Sequence, residues 1–260
     1  MQFHWYGFIV GLATLIGFLL AEKKALSIGI SERFFSLGFF WTLVGGIIGA
    51  RSWHVWTDFY LYRDNLLDIF YVWQGGLSIL GAIFGGFIGL YLFLFFSKKL
   101  IKKNLFLDSV VFGFPVAQSI GRVANAINQE LYGLPTDLPW KIFIPFEKRL
   151  AGFEEFSHFH PLFLYEGLMV MIGWLILVFF EKNKRWQLGS GKFFLWYLMY
   201  YGIIRFFLDF LRIDRSSVYF GLGVNQWSIL CIELFLTYFW LRKNNQVLDS
   251  CKCNLEKKNV

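Results

Sequence analysis

Apolar residues run through this chain in seven blocks, each near the ~20 residues a helix needs to cross a hydrocarbon core. They cover residues 5–21, 34–56, 77–96, 106–127, 162–180, 193–211 and 224–241. The pattern predicts an all-α polytopic membrane protein with seven transmembrane helices. The longest connection, residues 134–160, carries Pro135, Pro139, Pro145 and Gly152. It therefore reads as a small head of turns and short strands between spans four and five, not as one helix. Gly45 and Gly49 in the second span, and Gly81, Gly85 and Gly89 in the third, recur at helical spacing and allow close helix packing.

The positions of the basic residues orient the spans. Lys23, Lys24 and Arg33 follow the first, Lys98, Lys99, Lys102 and Lys103 the third, and Lys182, Lys184, Arg185 and Lys192 the fifth. Arg242, Lys243, Lys252, Lys257 and Lys258 follow the seventh, while the alternate connections are poorer in Lys and Arg. By the positive-inside rule the N-terminus lies outside, the head lies on the outer side, and the C-terminus is cytoplasmic. This divides the chain into a membrane domain at 1–241 and a cytoplasmic tail at 242–260. The opening MQFHWYG lacks a charged n-region and a small-residue cleavage site, so the first span reads as an uncleaved anchor.

Composition agrees: 57% of residues are hydrophobic, 22% aromatic and 17% charged, against about 45–50% apolar and ~25% charged in soluble domains. The net charge of +7 is a matter of topology, because the basic residues sit at span ends, and no nucleic-acid partner is expected. Cys231 lies in the last span and Cys251 and Cys253 in the tail, which gives no disulfide framework.

Candidate chemistry lies in the polar residues that interrupt the spans, since ionisable groups in a membrane are costly and mark functional sites. The stretch GRVANAINQELYG, from Gly121 to Gly133, holds Arg122, Asn125, Asn128, Gln129 and Glu130. On a continuous helix Arg122, Asn125 and Gln129 share one face, and Glu130 lies about 80° round from Arg122. In the sixth span Tyr201, Arg205, Asp209 and Arg212 form one stripe. Two arginines on separate helices suit a phosphate anion, whose oxygens match the guanidinium fork. Simpler readings stand beside this one. Arg205 with Asp209, or Arg122 with Glu130, can neutralise one another, and Arg51 and Arg212 can snorkel to the interface. A transporter would also carry such residues, but no inverted repeat or pair of broken spans is visible.

Six ordered motifs resemble the prolipoprotein diacylglyceryl transferase family of the bacterial inner membrane. They are HWYG at His4 to Gly7, IGAR at Ile48 to Arg51, WQGGLSI at Trp73 to Ile79, the Gly121 to Gly133 segment, HPLFLYE at His160 to Glu166, and YGIIRFFLDFLR at Tyr201 to Arg212. The GLGVNQ stretch with Gln226 also fits. The resemblance runs from His4 to about Leu241. It implies transfer of the diacylglyceryl group of phosphatidylglycerol to the lipobox cysteine thiol of a prolipoprotein signal peptide. A thioether forms and glycerol-1-phosphate leaves, with no cofactor and no metal. The substrate brings the nucleophile, so no catalytic cysteine is expected. The same resemblance implies catalytic roles for Arg122, Asn125, Glu130, Tyr201 and Arg205. It implies phosphatidylglycerol contacts for Arg122, Arg205, Tyr6, Asn128, Gly133 and His160. Family members carry a histidine in the motif GGLSIHGG, a proposed general base; here Leu80 stands in its place. Glu130 or His160 can supply part of that role, and a free thiol of pKa ≈ 8.5 is already a few per cent thiolate near neutral pH. The non-enzymatic alternative is a membrane protein that binds or transports phospholipid.

The charge pattern makes a direct prediction. Accessible-cysteine labelling or reporter fusions at Glu154 and Asp249 should report opposite sides of the membrane. The same side at both positions rules out the seven-span topology.

Overall fold

The computed structural model describes residues 5–63, 65–97, 103–215 and 217–256, with Gln74 and 244–256 described by backbone alone. His4, the basic cluster Lys98, Lys99 and Lys102, and Lys257 and Lys258 fall outside the described residues. So do the side chains of Lys252, Cys251 and Cys253. The chain is mostly helical. Its helices are α1 (Trp5–Ser27), α2 (Glu32–Thr57), α3 (Ile79–Phe96), α4 (Lys103–Val110), α5 (Phe114–Asn128), α6 (Leu162–Lys182), α7 (Lys192–Leu208) and α8 (Val224–Glu256).

Among the described residues six helical segments are long and apolar enough to cross a membrane: α1, α2, α3, residues 103–128, α6 and residues 192–211. The fourth block of the sequence is therefore two helices in tandem, interrupted by a turn at 111–113. Gly113 lies at that turn, where its backbone touches α1: a Cβ there would collide with the Gly17 carbonyl oxygen. The apolar start of α8 carries Asn225, Gln226 and Glu233, which dilute its apolar character.

The chain forms two compact units, residues 22–106 and residues 1–21 with 107–260. In the first, α2 and α3 lie against each other through glycines. A Cβ on Gly85 would strike the Gly45 carbonyl oxygen and come 2.8 Å from the Gly49 Cα. The buried residues of α3 are Gly81, Gly86 and Gly89, whereas Phe84, Phe87 and Ile88 are exposed. Small residues inside and large apolar ones outside suit helices solvated by lipid, where close backbone approach supplies the packing. Trp53 stacks on Phe84, ring centroids 5.9 Å apart, along the same seam.

In the second unit α5, α6, α7 and α8 pack in sequence. One core cluster joins Val111, Phe112, Leu177, Phe193 and Tyr197, and another joins Leu162, Val170, Ile204 and Leu208. Asp108 is fully buried and accepts the backbone N–H groups of Gly189 (2.9 Å), Gly191 (2.8 Å) and Phe194 (3.1 Å). It thus satisfies donors at the start of α7 that the helix itself leaves open. Residues 134–160 form a small folded region with strands β1 (Ile142–Phe143) and β2 (His158–Phe159) paired antiparallel. Tyr132, Ile144 and Phe159 make its core. It is tied to the segment just after α7 by a bridge from Gly133 to Arg212 and by the Leu134 N–H to the Leu211 carbonyl, 2.8 Å. A second hairpin, β3 (Val218–Tyr219) with β4 (Leu222–Gly223), leads into α8.

The glycine seam is testable. Gly85→Val should destabilise the protein by about 1–3 kcal/mol, the usual cost of overpacking. Gly11→Val, where nothing lies within 4 Å of the added Cβ, is the control. Thermal unfolding in detergent compares them, and equal melting temperatures would refute the seam.

Candidate active site

The site is built around Glu166, which is 3% exposed one turn inside α6. Its Oε1 accepts from Arg122 Nη2 of α5 at 2.5 Å and from the Tyr201 hydroxyl of α7 at 2.8 Å. Its Oε2 accepts from Arg205 Nη1 of α7 at 3.3 Å. Gln118 Nε2 makes a long contact to Oε1 at 3.5 Å, and Gln118 in turn receives the Tyr197 hydroxyl at 2.6 Å. Two helices, α5 and α7, thus place their polar groups on the carboxylate of a third. The Ser119 hydroxyl, donating to the Gly167 carbonyl at 3.0 Å, holds α5 close to α6 beside it.

Two guanidinium groups share this one carboxylate, so the trio carries more positive than negative charge. Each arginine also keeps donors beyond those used on Glu166. Arg122 Nη1 reaches Asn125 Oδ1 at 3.3 Å, and the buried Arg122 Nε has no hydrogen-bond partner among the described residues. The simpler reading, in which each arginine is neutralised within its own helix, does not hold among the described residues: both pair with Glu166. Arg205 pairs with Glu166, and Asp209, buried one turn further on, makes no ion pair among the described residues and leaves its Oδ2 without a partner.

Glu130 does not face Arg122 from a continued helix. Helix α5 ends at Asn128, because Gln129 takes a left-handed conformation (φ 57°, ψ 44°) and closes it with bonds to the Ala126 and Asn125 carbonyls. Beyond that point the 100° periodicity no longer applies. Glu130 is exposed; its carboxylate accepts from Asn128 Nδ2 at 3.2 Å, and its N–H reaches the Asn125 carbonyl at 2.9 Å. Of the residues expected in the site, Arg122, Asn125, Tyr201 and Arg205 converge. Tyr6 stands exposed on the first turn of α1.

Gly133 and His160 form a second group at the edge of the small folded region. The Gly133 N–H donates to the His160 carbonyl at 2.8 Å, and a Cβ on Gly133 would press on the Leu211 carbonyl and the Leu162 side chain. Arg212, bridged to Gly133, is bound by Asp214, and that guanidinium holds the Asp214 carboxyl below the usual carboxylate range. Arg212 is therefore paired rather than snorkelling. Burial lowers the His160 pKa, so its imidazole is neutral near pH 7.

Arg51, in the unit formed by residues 22–106, is buried as well. Its guanidinium donates to the carbonyls of Asp68, Ile69 (2.8 Å), Gly75 (2.7 Å) and Gly76 (3.1 Å), all neutral acceptors. Gly75 (φ 94°) and Gly76 (φ 71°) adopt backbone conformations that favour glycine. Leu80 is half-exposed on α3. Sequence reasoning missed Glu166 as the hub, although it closes the HPLFLYE motif. The available signal was a carboxylate one turn inside an otherwise apolar span, which demands a partner.

A profile of the prolipoprotein diacylglyceryl transferase family matches residues 1–242. A phosphatidylglycerol–prolipoprotein diacylglyceryl transferase of Fervidobacterium nodosum is 36% identical over 218 residues, covering 82% of this chain and 72% of that protein. The enzyme of the same description from Thermotoga maritima is 32% identical over 248 residues, 94% of this chain and 83% of its own. That of Cutibacterium acnes is 34% identical over 232 residues, 88% and 75% respectively.

The hub is tested by Glu166→Gln, which keeps the shape and an acceptor but removes the charge. Breaking a buried ion pair costs about 3–5 kcal/mol, so a lower melting temperature and loss of function are expected together. A variant as stable and active as the natural protein would show that the arginines do not depend on Glu166.

Proposed function

Because the chain belongs to the prolipoprotein diacylglyceryl transferase family, we propose that it joins the diacylglyceryl group of phosphatidylglycerol to the lipobox cysteine thiol of prolipoprotein signal peptides. This is the first step of lipoprotein maturation. The substrate thiolate attacks the diacylglyceryl carbon and a C–S bond forms. The C–O bond to phosphate breaks, and glycerol-1-phosphate leaves with that oxygen and the electron pair. The thiol proton passes to a base or to water.

The observation that carries this reading is the pair of guanidinium groups, on separate helices, that share one buried carboxylate. A phosphodiester is an anion with fork-compatible oxygens, and charge grows on it as the C–O bond breaks. Donors already held in place stabilise that charge without reorganising. Arg122 and Arg205 bind the phosphate, Asn125 and Tyr201 keep them oriented, and Glu166 holds the two within reach of one ligand. Asn128, Gly133, Tyr6 and His160 complete the phosphatidylglycerol contacts. Glu130, exposed just beyond the end of α5, takes the thiol proton, since Leu80 has no group that can. The start of α8, residues 224–241, serves as a seventh span. The N-terminus and the region 134–160 lie on the outer side, and the tail at 242–260 is cytoplasmic.

The decisive assay gives purified protein a lipobox peptide and phosphatidylglycerol and reads thioether formation by mass. Arg122→Lys and Arg205→Lys keep the charge but lose the fork, and each should lower kcat/KM by about 10²–10³-fold. Glu130→Gln should lower kcat by at least about 10²-fold, the scale of a positioned base. Lysine variants that turn over normally would reduce the arginines to packing. A natural protein that binds phosphatidylglycerol without lipidating the peptide would favour a lipid-binding protein.

A further inference from the structure

A three-group hydrogen-bond series connects the small folded region to the start of α6. Trp140 Nε1 lies 2.6 Å from the Tyr165 hydroxyl, and that hydroxyl lies 3.1 Å from His160 Nδ1. An indole N–H can only donate, and a phenol has one proton to give. Tyr165 therefore accepts from Trp140. The acceptor its own proton reaches, among the described residues, is His160 Nδ1. Were the imidazole proton on Nδ1 instead, the phenol oxygen would accept twice and its proton would be left without an acceptor in that set. Accepting from Trp140 also makes the phenol a stronger donor to the histidine.

We infer that Trp140 and Tyr165 fix His160 with Nδ1 as an acceptor and the N–H on Nε2, so that His160 offers the phospholipid head group a hydrogen-bond donor. The inference rests on the proposed reading for its ligand but not for its tautomer. In this form His160 does not receive the thiol proton through Nδ1, which is occupied. It donates to an oxygen of the phosphoryl or glycerol portion. The backbone keeps the ring in place: the His160 N–H bonds to the Leu134 carbonyl at 3.1 Å, and its carbonyl accepts from Gly133 and Leu162. The Tyr165 ring stands edge-on to the imidazole, centroids 5.9 Å apart. Burial of His160 keeps the ring neutral near pH 7, so a single tautomer can dominate. Tyr165 immediately precedes Glu166, so the donor series and the arginine-binding carboxylate are set by consecutive residues of α6. Trp140 and Tyr165 are positioning residues, acting through His160.

Nitrogen NMR on ¹⁵N-histidine-labelled protein in phosphatidylcholine nanodiscs reads the tautomer without turnover. The His160 signals are assigned by their loss in His160→Gln. In the natural protein we expect an unprotonated Nδ1 and a protonated Nε2. Tyr165→Phe keeps the ring and removes the donor, and it should bring up the Nδ1-protonated tautomer. Trp140→Phe should produce a smaller shift in the same direction. A natural protein protonated on Nδ1, or unchanged populations in Tyr165→Phe, overturns the inference. In the lipidation assay His160→Leu should raise KM for phosphatidylglycerol about tenfold, the scale of one lost hydrogen bond to a charged group. His160→Gln places an amide donor near the Nε2 position and should recover most of that loss. Equal KM in the two variants, with the loss confined to kcat, overturns the donor role. A protein inert in that assay removes the transferase reading, and the NMR populations still decide the tautomer.

Discussion

A carboxylate one turn inside an apolar helix is the constraint on which this site depends. Left alone in hydrocarbon, Glu166 would carry a desolvation cost of several kcal/mol. Arg122 and Arg205 remove that cost from two other helices, and Tyr201 and Gln118 add donors to its Oε1. The same contacts do two further things. They draw α5, α6 and α7 together at one point, and they hold two guanidinium groups close enough to act on one anion. The arrangement leaves positive charge in excess, which a purely structural pair would not need. Stability and the placement of both arginines are therefore coupled through one residue.

Elsewhere the protein reverses the packing of a soluble domain. Along the α2–α3 seam the glycines are inside and the phenylalanines outside. Lipid is as apolar as Phe, so burying Phe brings no hydrophobic gain, whereas bringing two backbones close gains dispersion contact. Away from the Glu166 site, several buried polar side chains follow the complementary rule of being satisfied within the protein. Arg51 does so with four backbone carbonyls, Asp108 with three backbone N–H groups, and the fully buried Gln226 with the Gly223 N–H and the Phe206 carbonyl. These side chains fix irregular segments at helix ends, where the backbone cannot satisfy itself.

The region 134–160 is joined to the helical unit by the same means. Gly133 admits the Leu211 carbonyl of the turn after α7, and Tyr132 secures the segment near 148–150 by donating to the Lys148 carbonyl and accepting the Leu150 N–H. Burial raises the Tyr132 pKa, which keeps its hydroxyl protonated in that role. Trp140, Tyr165 and His160 then carry hydrogen-bond polarity from this region to the first turn of α6.

Much of this was legible along the chain. Hydrophobic blocks of membrane length located α2, α3, α6 and α7 to within a few residues, and the start of α1, which runs on to Ser27 past its apolar block, because in lipid the backbone has little choice but a helix. Helical spacing placed Arg122 beside Asn125, and glycine spacing marked the α2–α3 seam, since both are properties of a single helix. What depends on two or three helices meeting was not legible. Periodicity says which face Arg122 and Arg205 occupy, but not that a carboxylate 44 and 39 residues away lies between them. Local neighbours such as Glu130 and Asp209 are equally plausible until the helices are assembled. The left-handed turn at Gln129, the break at 111–113 and the carbonyl cage of Arg51 were hidden for the same reason. Each is a local conformation that its own residues only permit, and contacts from distant segments select it.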